Sequence, residues 1–250
     1  MTTQAVGQAI LDDVCRDPRD WPSRHVYADW CEDNGRPQRA AFIRAMLAGQ
    51  AEEASWMFRP IAPDLDCPDL LDHTIPGTYQ LVSVDWCVSD VPFTAAHEDV
   101  VALSFAPAAG VTRHRRWWQK GYLRGGFFEG WELRLSNWVA NADQYLRECP
   151  LRGIRLFPNG IHARDQHGDL ARLWNLAVVG RLETLDLSQL LIDARDVSVW
   201  LGQSRHAFRP WRGLRQLKLP SWINNDCILQ LAHLLPETHL ILEARRVDHR

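Results

Sequence analysis

Residues 151–161 read Leu151-Arg152-Gly153-Ile154-Arg155-Leu156-Phe157-Pro158-Asn159-Gly160-Ile161, which fits the spacing L-x-x-L-x-L-x-x-N-x-L. The same frame returns at Leu182, Leu185, Leu187 and Ile192, and again at Leu214, Leu217 and Leu219. Upstream, Phe128, Trp131, Leu133 and Leu135 form a degenerate first copy, and downstream Leu240 and Leu242 a terminal one. Self-similarity at such a period is the strongest signal a sequence gives about architecture. Between the copies, apolar residues recur at helical spacing over 138–149, 170–179, 197–208 and 227–235.

One short strand and one helix per unit cannot bury an apolar face alone, so neighbouring units must stack to share a core. The expected fold is therefore α/β: a short, irregular leucine-rich-repeat solenoid over 126–250, with parallel strands on the concave side and helices on the convex side. Asn159 keeps the asparagine of the motif, whose amide bonds to neighbouring loop backbones, while Leu190 and Trp222 hold the matching places later.

Residues between the buried leucines should point away from the core, because side chains alternate along a strand. One such column is Glu132, Arg155, Asp186 and Lys218; beside it lie Arg134, Phe157, Ser188 and Pro220, and on the other side Gly130, Gly153, Thr184 and Gln216. Adjacent strands are about 4.8 Å apart, so the alternating charges can satisfy one another. A mixed surface with an exposed Phe157 suits a protein or peptide partner better than a phosphate backbone. Glu132, Arg134, Arg155, Phe157, Asp186, Ser188 and Lys218 are the candidate contact residues.

Working outward to the N-terminus, Val6, Ala9, Ile10 and Val14 mark a first helix that ends before Asp17-Pro18. A second begins near Pro22 and stops at Gly35; a third starts at Pro37 and carries Phe42, Ile43, Met46 and Leu47. Three short helices raise the alternative of a helix-turn-helix DNA reader. Residues 1–50 hold six Arg against seven Asp or Glu, however, which leaves no basic excess to grip phosphates.

The segment from Val26 to Leu47, VYADWCEDNGRPQRAAFIRAML, resembles the bacterial repeat-companion domain through Tyr27, Ala28, Asp29, Trp30, Glu32, Gly35, Pro37, Arg39, Ala40, Phe42, Ile43 and Arg44. That resemblance implies a helical domain over 1–50 placed before leucine-rich repeats, with no assigned biochemical role. Ala41 stands where the family usually carries Glu, and Arg124-Gly125-Gly126-Phe127-Phe128-Glu129 is similar to the family's segment before the first repeat, with an extra glycine. From the residues themselves, Tyr27 and Trp30 share a helix face and Asp29 can pair with Arg44. The alternative is a polar recognition edge made by Asp29, Glu32 and Arg44.

Residues 51–125 are read as a Pro-rich linking region. Its prolines disfavour long helices, although 78–88 and 100–105 alternate as strands do. Near its end, Arg113, Arg115, Arg116, Lys120 and Arg124 are interleaved with Trp117, Trp118 and Tyr122. That mixture can hold phosphates while stacking bases, so Arg113, Arg115, Arg116, Trp117, Trp118, Lys120 and Tyr122 are the alternative site, for single-stranded nucleic acid. The simpler account has the aromatics in a core and the arginines solvated.

A third alternative is a metal-dependent enzyme at His162, Arg164, Asp165, His167 and Asp169. His-x4-His can share a helical face, but it lacks the glutamate of HExxH, and Gly168 weakens a helix there. No nucleophile elbow, Walker loop or dinucleotide fingerprint occurs in the sequence, so no catalytic residue, metal or cofactor is expected. The net charge of −3 gives no global case for a polyanionic partner. Six scattered cysteines without a CxxC pair fit reduced thiols. With no signal-like N-terminus and no bilayer-length apolar run, the chain reads as a soluble, cytoplasmic protein. The function expected is non-catalytic binding of an unidentified protein or peptide.

Overall fold

The computed structural model describes residues 3–50, 79–86, 100–107, 119–158, 166–202, 211 and 213–243. The chain is α/β, and its contacts divide it into two units. The first comprises Met1–Val91, Ala95–Trp131 and Gln144–Leu151; the second comprises Pro92–Thr94, Glu132–Asp143 and Arg152–Arg250.

In the first unit, α1 (Thr3–Arg16), α2 (Trp21–Asp33) and α3 (Pro37–Leu47) fall where the sequence spacing puts them. Proline sits in the first turn of α2 and α3, where its missing N–H costs no helical bond. Gly35 ends α2 with φ 78°, a left-handed residue that lets Arg36 N–H return to the Cys31 carbonyl at 2.8 Å. The helices bury Leu11, Val14, Tyr27, Ala28, Cys31, Ala40 and Ile43 together with Phe127. Phe127, which sequence spacing placed with the repeats, is thus a core residue of the helical unit. It lies 5.6 Å from the Tyr27 ring.

The same unit contains β1 (Tyr79–Trp86), β2 (Val100–Pro107), β3 (Gln119–Arg124) and most of β4 (Phe127–Arg134), paired antiparallel in chain order. The β3–β4 connection is the two-residue turn Gly125-Gly126, with φ of 52° and 83°. A tight hairpin turn of this kind needs positive φ at both central residues, so the second glycine is a geometric requirement. Space matters too: a Cβ on Gly126 would meet the Ile43 Cα at 2.9 Å.

Buried beneath that turn, Arg24 is ion-paired with Glu129, and both side chains are fully enclosed. The Arg24 guanidinium also donates to the carbonyls of Arg124 and Pro18, each at 2.6 Å. It lies 5.3 Å from the ring centres of Trp21 and Phe127. Burying a guanidinium is tolerable only with a partner charge and filled hydrogen bonds.

In the second unit strands alternate with helical segments. After α4 (Leu135–Glu148), which the two units share, come β5 (Gly153–Phe157) and α5 (His167–Leu173), with a 3-10 turn at Ala177–Arg181. Then follow β6 (Thr184–Asp186), α6 (Ala194–Gly202), β7 (Gln216–Pro220), α7 (Asn225–Leu234) and β8 (His239–Glu243). Strands β5 to β8 are parallel neighbours in chain order. Ile154 pairs with Leu185, Leu185 with Leu217 and Leu217 with Leu240, so the apolar column read from sequence is a real register. α5 is shorter than the helical periodicity over 170–179, because Trp174 and Asn175 turn the chain and Leu176 is extended. Trp174 packs 4.2 Å from Trp211 and 3.9 Å from Trp200, which gives these helices an aromatic core.

Cys149 is disulfide-bonded, against the reading of six reduced thiols, and its partner lies outside the described residues; Cys15, Cys31 and Cys227 are free and buried. Scattered spacing does not prevent a fold from bringing two thiols together. Among the described residues no helix is long and apolar enough to cross a membrane.

The two kinds of ion pair in the helical unit should differ sharply in value. Glu129→Ala strands the Arg24 charge and should lower stability by about 3–5 kcal/mol. Asp29→Ala, at an exposed pair, should cost under about 1 kcal/mol. Urea unfolding of the two variants checks the contrast.

Candidate functional site

The columns projected from sequence are reproduced in register: Gly153, Thr184 and Gln216 align, as do Arg155, Asp186 and Lys218. Their exposure differs from expectation. Glu132, Arg155, Asp186 and Ser188 are all buried, and β5 and β6 are covered on both faces except at Phe157. β7 alternates between half-buried and buried up to its final Pro220, and β8 is the open strand.

The charges explain why the column tolerates burial. Arg155 Nη1 donates to Glu132 Oε1 at 2.6 Å, and its Nε donates to Asp186 Oδ2 at 2.7 Å. The other Asp186 oxygen accepts from the Ser188 N–H at 3.0 Å and the Ser188 hydroxyl at 2.7 Å. Asp186 therefore anchors an arginine from the preceding strand and closes the turn that follows its own. Gln189 extends the network by donating to the Ser188 hydroxyl at 3.2 Å. Sequence spacing missed Gln189, since it lies past the strand where alternation no longer applies.

Lys218 does not complete this ladder with Asp186. It pairs with Glu243 on β8 at 3.0 Å. Arg155 already supplies Asp186 with a cation in a buried setting, which leaves Lys218 to the carboxylate on its other side. Arg134 and Phe157 are half-buried. Of the candidate contact residues, then, Glu132, Arg155, Asp186 and Ser188 are spent within the fold, and Arg134, Phe157 and Lys218 retain solvent access.

Trp222, standing where the repeat motif carries asparagine, is 47% exposed, and its indole N–H donates to the Ile192 carbonyl at 3.0 Å. No family model, curated protein or solved structure matches this chain.

The alternative sites fare differently. Arg113, Arg115, Arg116, Trp117 and Trp118 lie outside the described residues, and of Lys120 only the backbone is described, in β3. Tyr122 is 1% exposed, so its ring is core and not a stacking platform. His162, Arg164 and Asp165 also lie outside the described residues. His167 is held by Asp196 on α6, Nδ1 to Oδ1 at 2.5 Å, and Asp169 pairs with Arg172 at 3.7 Å. Among the described residues no group of three or more His, Cys, Asp or Glu is placed to hold a metal ion.

On the helical unit, Arg44 bridges Asp29 and Glu32, each at 2.7 Å. Those hydrogen bonds, Asp29 first, raise the Arg44 pKa above its ordinary value. All three side chains are largely solvated, which keeps the bridge weak. No exposed aromatic accompanies them among the described residues of that unit, because Trp30 is packed against the core.

Arg155→Met leaves two buried carboxylates without their cation. It should lower stability by about 3–5 kcal/mol in urea unfolding. Neutralising the carboxylates as well, in Glu132→Gln/Arg155→Met/Asp186→Asn, should recover much of that loss. Equal or greater destabilisation of the triple variant would show that the ladder acts through packing and not through charge.

Proposed function

We propose that this chain is a non-catalytic binding scaffold. In this reading its parallel strand-and-helix units are irregular leucine-rich repeats, and its helical unit is of the repeat-companion type. One observation carries it: the same backbone bracket recurs at each strand. The Arg152 carbonyl accepts from the Glu183 and Thr184 N–H groups, the Glu183 carbonyl from Arg215 and Gln216, and the Arg215 carbonyl from His239. The side-chain pairs Arg155–Asp186 and Thr184–Gln216 recur with it, 31 and 32 residues apart. A structural period of this kind supports an array whose units stack by nearest-neighbour contacts.

Arrays of stacked units present an extended surface in place of a single cleft, and that suits a macromolecular partner. Of the candidate residues, Arg134, Phe157 and Lys218 keep partial solvent access, one aromatic and two basic side chains. An aromatic anchor beside arginine is the composition that interface centres favour. The partner in this reading is a protein or peptide. The burial of Tyr122 removes one stacking residue from the nucleic-acid alternative.

Affinity capture from host lysate, with nuclease and without, tests the reading. Wild type should retain a defined protein in the presence of nuclease, and Arg134→Ala/Phe157→Ala should lose it by about tenfold or more. Both side chains are partly solvated, so the variant should keep the fold, which circular dichroism checks. Recovery of nuclease-sensitive nucleic acid that ignores the double change would sink the proposal in favour of segment 112–124.

A further inference from the structure

We propose that β8 is a self-association edge, along which two copies of this chain pair antiparallel about a two-fold axis at Ile241. β8 is the last strand in the sheet order, hydrogen-bonded to β7 on one side. Its other edge has no strand beside it among the described residues.

The phase of the backbone is known. His239 N–H donates to the Arg215 carbonyl at 2.7 Å, and the Glu243 carbonyl accepts from Ser221 N–H at 2.9 Å. Residues 239, 241 and 243 therefore turn their polar backbone groups toward β7. By alternation, Leu240 and Leu242 turn theirs to the open edge. An antiparallel partner is satisfied when outward-facing residues stand opposite one another and exchange both N–H···O=C bonds. An axis at Ile241 achieves this, since it sets Leu240 against Leu242 of the copy and Leu242 against Leu240.

The side chains agree with the same axis. The sequence His239-Leu240-Ile241-Leu242-Glu243 is self-complementary when reversed: His239 meets Glu243 of the copy, and Ile241 meets Ile241. His239, Ile241 and Glu243 share the face of Lys218, while Leu240 and Leu242 share the face of Leu217. Leu242 is 44% exposed and His239 is exposed, so pairing would cover an apolar side chain and set an imidazole beside a carboxylate. Other registers fit less well: a two-residue slip keeps the backbone phase but opposes only about three of the strand's residues. A one-residue slip opposes outward with inward backbone groups, and a parallel in-register pair sets His239 against His239 and Glu243 against Glu243. Proteins usually blunt an open edge with lysine, proline or a bulge. β8 has no lysine or proline and pairs with β7 without a register shift, and an isologous pair closes such an edge symmetrically.

Sedimentation velocity on the full chain over a concentration series should show monomer converting to dimer. His239→Glu opposes two carboxylates at each end of the pair and should weaken association about tenfold or more, whereas His239→Lys should preserve or tighten it. Because His239 is solvent-exposed, neither change should disturb folding. Register is read separately: under mild oxidation Ile241→Cys should link the two copies, since facing Cα atoms at such a pair lie within disulfide reach. Leu240→Cys, whose own copy is offset along the strand, should link no more than wild type. A chain that stays monomeric to about 0.1 mM, or a dimer in which Ile241→Cys does not link, overturns the proposal.

Discussion

The backbone bracket at Arg152, Glu183 and Arg215 organises the second unit. A strand of three to five residues has no core of its own, and each bracket ties the entry of one strand to the residue before its neighbour. With entry points aligned, alternation does the rest. Ile154, Leu185, Leu217 and Leu240 fall into one column, and Arg155, Asp186 and Lys218 into the next. The buried ladder from Glu132 through Arg155 to Asp186 depends on that alignment. A slip of one residue would turn the whole column to the other face, leaving its carboxylates in the apolar layer.

The first unit meets a comparable constraint by different means. Its helices carry a buried guanidinium, Arg24, and its β3–β4 hairpin supplies Glu129 and the Arg124 carbonyl to receive it. The hairpin reaches that position through a turn with positive φ at both Gly125 and Gly126. Phe127, immediately after the turn, completes the apolar cluster of α1, α2 and α3. The helical segment therefore shares its core with residues about 80 positions away in sequence.

Function is drawn from the side chains that keep solvent access. Charge alternation along the sheet column satisfies itself, which converts the most conspicuous polar residues of the sequence into internal structure. Arg134, Phe157 and Lys218 keep partial solvent access, and β8 exposes His239 and Leu242. The first suggests a heterologous partner and the second a copy of the same chain.

Much of this was legible without coordinates. The leucine spacing determined the strands and their mutual register, since period-two alternation and a shared core admit only one alignment; the helix spans at 3–16, 21–33 and 37–47 followed from apolar spacing with proline starts and a glycine stop. Burial of the charged column was not legible, because alternation says which face a residue takes and not what covers that face. Nor did spacing reveal that Lys218 turns to Glu243, that Trp222 donates to the Ile192 carbonyl, or that Cys149 is bonded. The pairing of Arg24 with Glu129 spans 105 residues. Local sequence fixes direction and period, whereas a contact between distant residues exists only once the chain has closed on itself, and that was decided by the tertiary structure alone.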